Sequence, residues 1–106
     1  LGPWLASVLE HNDLKGGWYV EPYAGGAGAA LYLLLQGYVE HIVINDADPL
    51  IHAFWHSVVY ETAAFTDMIL ETPVTMESRA RFQSMLTNVE DRSMPFFLTA
   101  LAALAF

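Results

Sequence analysis

Two acids and three glycines hold the chemistry of this sequence. Glu21 follows an aromatic and β-branched run, Trp18 to Val20, and Gly25, Gly26 and Gly28 crowd in after Pro22, Tyr23 and Ala24. Asp46, preceded by Asn45, ends a second β-branched run from His41 to Ile44. Glycines at such a loop permit unusual backbone angles or let a ligand come close. Asp46 lies 18 residues past Gly28. An acid about 20 residues beyond the glycines, at the tip of the next strand, is placed to accept hydrogen bonds from ribose hydroxyls. A ligand containing adenosine is the expectation.

The glycine spacing narrows the ligand. A dinucleotide loop needs Gly-x-Gly-x-x-Gly or Ala, and counting from Gly26 the third position is Leu31, too large for a close helix–strand contact. No Lys follows the glycines, so the phosphate-binding Gly-Lys-Ser/Thr loop is absent too. A ligand without a pyrophosphate fits better. S-adenosylmethionine joins adenine and ribose to a zwitterionic tail, and Glu21 could meet its ammonium or sulfonium side directly or through water. The blander alternatives are an ordinary tight glycine loop, a solvated Glu21, and an Asp46 that only starts a turn. Tyr23 could pack or could wall the pocket.

Local signals predict the elements that position these residues. Trp18 to Val20 reads as a strand that Glu21 and Pro22 stop, Ala29 to Leu35 as a helix ended by Gly37, and His41 to Ile44 as a second strand. The order strand, glycine loop, helix, strand, acid is half of a nucleotide-binding βαβ unit, with the helix N-terminus aimed at the ligand. The two strands should lie parallel. Parallel sheets are normally buried on both faces, so further strands are expected from other sequence or from a second copy of the chain, that is, by self-association. Before this block, Pro3 to Glu10 reads as a helix and Lys15-Gly16-Gly17 as a turn. After it, Asp48 caps a helix with Pro49 in its first turn. That helix is expected to reach Tyr60 or beyond, as far as Leu70, and Pro73 is a break. Thr75 caps a helix from Met76 to Leu86 with Arg79 and Arg81 outward and Phe82, Met85 and Leu86 inward. A polar turn, 88–94, precedes a last apolar helix, 96–106, entered through Pro95.

The segment Glu21-Pro22-Tyr23-Ala24-Gly25-Gly26-Ala27-Gly28, followed by Val43-Ile44-Asn45-Asp46, resembles the N-terminal part of the Dam-like (D12 class) adenine-specific DNA methyltransferases. Their first motif is similar to Asp/Glu-Pro-Phe-x-Gly-x-Gly, with Tyr23 standing where Phe is usual. The resemblance implies an α/β, Rossmann-like S-adenosylmethionine-dependent fold and transfer of a methyl group to adenine N6 in the whole enzyme. It implies a cofactor site made of Glu21, Pro22, Tyr23, Ala24, Gly25, Gly26 and Gly28 around the methionine end, Asp46 on the ribose, and Ala47 beside the adenine. The family's Gly-Gly-Lys-like N-terminal motif and its Asp-Pro-Pro-Tyr-like catalytic motif have no counterpart here. Residues 1–106 therefore read as one partial methyltransferase domain with no catalytic residue, and the chain alone is expected to be inactive. A noncatalytic interaction domain, or another nucleotide or small-molecule binder, is the alternative.

Composition limits the partners. Of 106 residues, 55% are hydrophobic, and the net charge is −8 with four basic residues. Affinity for DNA comes largely from cationic side chains that neutralise phosphates, so DNA would be met through regions outside this chain. The sequence has no cysteine, which excludes disulfides and thiolate metal sites and fits a cytoplasmic setting. No signal peptide is visible, and the 11-residue apolar run 96–106 is short of the roughly 20 residues of a membrane span. His52 and His56 sit at i and i+4, a metal-ligand spacing, but Ala53 replaces the Glu of the zinc-protease motif. Packing or a surface pair is the expectation for them, with no metal.

Overall fold

The two β-branched runs pair as the sequence predicts. β1 (Trp18–Glu21) and β2 (His41–Ile44) lie parallel, with Trp18 opposite His41, Val20 opposite Val43 and Glu21 opposite Ile44. They belong to a computed structural model that describes residues 1–85 and residue 100. Those residues form a mixed α/β structure, with five helices and one two-stranded parallel sheet among them. The chain divides into two units, Leu1–Ala47 and Asp48–Phe106.

In the first unit, α1 (Gly2–His11) packs on α2 (Gly28–Leu35), and α2 packs on both strands. Successive strand residues point to opposite faces, and burial follows that alternation. Tyr19, Glu21, Ile42 and Ile44 are half-buried on one face, while Trp18, Val20, His41 and Val43 are exposed on the other. The core beneath the inner face is built on Ala6, Leu33 and Val39, with Leu9, Tyr19, Tyr32 and Ile42 packed around them. Helix α1 starts one residue before the expected Pro3. A Cβ on Gly2 would stand 2.7 Å from the Tyr32 ring, so the close approach of α1 to α2 leaves room for glycine alone. Helix α2 ends where Gly37 turns left-handed, at φ +74°.

The second unit opens with α3 (Pro49–Tyr60), capped as expected: the Asp48 carboxylate accepts from the Leu50 N–H at 2.8 Å. Asp48→Ala should lower the stability of this unit by about 1 kcal/mol, and Asp48→Asn should restore it. Equal urea midpoints for Asp48→Ala and wild type would contradict that. Of the two expected ends, Tyr60 is the one observed, and the extension to Leu70 is not. Glu61 leaves helical geometry at φ −126°, ψ 31°, and α4 (Thr62–Glu71) begins after it. The break lets Phe65 swing back and meet Phe54 edge to face, with ring centroids 5.9 Å apart. Phe65, Phe82 and Ala100 form the buried centre of this unit.

Helix α5 (Met76–Met85) carries Phe82 inward and leaves Arg79 and Arg81 exposed. Thr75 Oγ1 caps it by accepting from the Ser78 N–H at 3.1 Å. Leu86, the polar turn 88–94 and, apart from the helical and buried Ala100, the apolar helix 96–106 lie outside the described residues. Among the described residues, no helix is long and apolar enough to cross a membrane.

Candidate functional site

The parallel pairing of β1 and β2 sets their C-terminal ends side by side, and the sequence leaves both ends directly into loops. After Glu21 the chain turns through Pro22 to Ala27 and enters α2; after Ile44 it passes through Asn45 and Asp46. These two segments are bonded to each other. The Asn45 N–H donates to the Glu21 carbonyl at 3.0 Å, and the Ala24 N–H donates to the Asn45 carbonyl at 2.9 Å. Asn45 Nδ2 donates to the Pro22 carbonyl at 3.3 Å. Asp46 Oδ2 accepts from the Gly25 N–H at 2.8 Å.

Glu21 has a definite task. The first backbone N–H groups of a helix have no partner within it, and the residue before α2 is Ala27, which has no side-chain acceptor to offer. Glu21 reaches across from β1, and its Oε2 accepts from the Ala30 N–H at 3.2 Å. A carboxylate there also meets the positive end of the helix dipole. This is where a nucleotide's pyrophosphate would settle in a dinucleotide site. With Glu21 in place, a second anion meets like charge. A cationic group or a neutral hydroxyl is better matched, and Asp46 on the opposite side of the loop adds to the same field. Tyr19, on the Glu21 face of β1, has its phenol pKa raised by burial and then by the Glu21 charge.

The glycines divide into two kinds. Gly25 sits at φ +47°, a left-handed angle that suits glycine. Gly26 and Gly28 have no such angle, and a Cβ built on either would touch nothing within 4 Å. Neither a left-handed φ nor a close neighbour accounts for their lack of a side chain. Gly28 is the first residue of α2. A Cβ on any of the three would meet nothing within 4 Å, so they border open space, the glycine cradle.

Of the residues predicted for this site, Glu21, Pro22, Ala24, Gly25 and Asp46 are joined by the bonds above, and Gly26 and Gly28 line the cradle. Ala24 is buried. Tyr23 and Ala47 are exposed. Tyr23 is 84% exposed, so packing against the body is not its role. Two residues gained weight only in three dimensions. Asn45 staples the loop through backbone and side chain. Ala27, buried and left-handed at φ 48°, makes the turn into α2; nothing about an alanine between two glycines signals that. His52 and His56 belong to the second unit, on α3, with their rings 6.1 Å apart and His56 packed on Tyr60 at 5.0 Å. Among the described residues, no group of three potential metal ligands occurs.

The glycine loop is thus flanked by two acids, Glu21 at the mouth of α2 and Asp46 at the tip of the neighbouring strand. Comparison of the chain with protein-family models, with curated proteins and with solved structures finds no match in any of the three.

Proposed function

We propose that this chain forms the S-adenosylmethionine-binding part of a Rossmann-like methyltransferase, and that the whole enzyme is a DNA adenine N6-methyltransferase. The observation that carries the cofactor reading is the pair Gly26 and Gly28, whose Cβ positions meet open space and whose φ angles are not left-handed. A ligand that closes on the loop gives them a reason. The resemblance of the two motifs to the Dam-like class supports the choice of substrate.

In this reading the loop 21–28 holds the methionine end of the cofactor, with the Glu21 charge facing its cationic groups. Asp46 takes the ribose hydroxyls, and Ala47 borders the adenine. The cofactor, when bound, supplies an electrophilic methyl group on sulfonium. The chain's own contribution is positioning, which converts a bimolecular encounter into an oriented one. The acceptor adenine would be flipped out of the duplex and held by residues other than these, since the sequence contains no Asp-Pro-Pro-Tyr-like motif. Contact with DNA would likewise fall to a basic region elsewhere, in a cytoplasmic enzyme.

Calorimetric titration with S-adenosylhomocysteine, beside NAD and ATP, tests the reading. Selective binding of S-adenosylhomocysteine is expected, because both pyrophosphate-bearing ligands would set their charge against Glu21. Equal or tighter binding of NAD or ATP, or no binding at all by a folded sample, would sink it.

A second reading has its own observation. Trp18, Val20 and Val43 are 69%, 58% and 40% exposed on one face of a parallel sheet, a kind of sheet normally covered on both sides. A noncatalytic methyltransferase-like domain that associates with another protein, or with itself, through this face would leave it so. Such a domain binds no cofactor and changes mass on dilution, which sedimentation would reveal.

A further inference from the structure

Asp46 is expected on the ribose, yet its carboxylate is engaged with the protein itself. Its Oδ2 accepts from the Gly25 N–H at 2.8 Å, and its neighbour Asn45 holds the same loop at Pro22 and Ala24. Gly25 is the residue whose left-handed angle, φ +47°, reverses the chain at the cradle. A glycine in a loop has many conformations available, and each must be given up when a ligand binds. A carboxylate that fixes the glycine amide beforehand removes that cost from the binding step.

We infer that Asn45 and Asp46 are positioning residues that hold the glycine loop in its binding shape before any ligand arrives. Part of what Asp46 contributes to affinity therefore does not pass through the ribose. This inference rests on the cofactor reading for its effect on binding, but not for its effect on the loop. A hydrogen bond from an amide to a charged acceptor is among the stronger kinds. The Asn45 amide contact, longer and exposed, is the weaker of the two fastenings.

The experiment has two arms. In the ligand-free chain, amide hydrogen exchange at Gly25 should quicken about tenfold or more in Asp46→Ala, while the strand amides of Val43 and Ile44 keep their protection. Asp46→Asn retains a carbonyl oxygen and should restore most of the protection at Gly25. Asn45→Ala, a milder change, should quicken Ala24 and Gly25 by about threefold. In the second arm, wild type and Asp46→Ala are titrated with S-adenosylhomocysteine and with its 2′,3′-dideoxy analogue. An effect through the loop predicts that Asp46→Ala weakens both ligands, by about tenfold for the first and at least threefold for the analogue.

Unchanged exchange at Gly25 in both Asp46→Ala and Asn45→Ala would overturn the inference. So would a loss of affinity in Asp46→Ala that disappears with the analogue, which would confine Asp46 to the ribose. If wild type binds neither ligand, the cofactor reading fails while the exchange arm still decides whether the loop is held.

Discussion

Gly26→Leu should fold as wild type does and lose at least 100-fold in affinity for S-adenosylhomocysteine, about 2.7 kcal/mol. The expectation follows from the space around Gly26. Nothing lies within 4 Å of the place a Cβ would occupy, and the φ of Gly26 is not in the left-handed range. The side chain therefore costs the folded protein little. It would, however, fill the cradle that the loop keeps open, and a ligand would have to displace it or stand off. Gly28 offers a finer version of the same contrast. Gly28→Ala should leave stability within about 0.5 kcal/mol, since a Cβ there meets open space, and should still weaken the ligand. A side chain that the fold accepts and binding does not is the mark of a glycine kept for a ligand. If Gly26→Leu binds within twofold of wild type, the cradle is not the site.

Leu33→Ala should have the largest effect on stability, about 3–5 kcal/mol. Leu33 is 0% exposed and lies at the centre of the core that joins α1, α2 and the inner face of the sheet. Truncation removes the burial of its side chain and leaves a cavity that three elements would have to close together. Domains are stable by about 5–15 kcal/mol, and a unit that spans Leu1–Ala47 is small enough to sit near the bottom of that range. The expected result is loss of the first unit's folded state, seen as a lower urea midpoint and rapid exchange of the β1 and β2 amides. Ligand binding should fall with it, since α2 carries the Ala30 N–H that holds Glu21. Val59→Ala, at a residue 59% exposed on α3, should change stability by less than about 0.5 kcal/mol. A Leu33→Ala midpoint as high as that of Val59→Ala would show that this core does not hold the unit together.

The sequence by itself determined most of the elements, because their signals are local. Val43 and its β-branched neighbours made a strand with the bounds read for it, Gly37 stopped α2, and Asp48 with Pro49 began α3. Each of those effects acts within a turn or a few residues, through steric limits on one backbone angle or a bond between close neighbours. The end of α3 at Tyr60 was one of two bounds the sequence left open, since neither glycine nor proline marks the break at Glu61, across which Phe65 meets Phe54. The tertiary structure also decided what the candidate site residues do. Glu21 and Ala30 are nine apart in sequence, and Gly25 and Asp46 are 21 apart. Residue types could nominate these acids for a ligand, but only the parallel register of β1 against β2 brings Asp46 to Gly25. Side-chain period fixes which face a residue occupies, whereas strand register and helix seating fix which atoms touch. Those depend on the packing of the core around Leu33, a sum of many weak contacts that no short stretch of sequence contains.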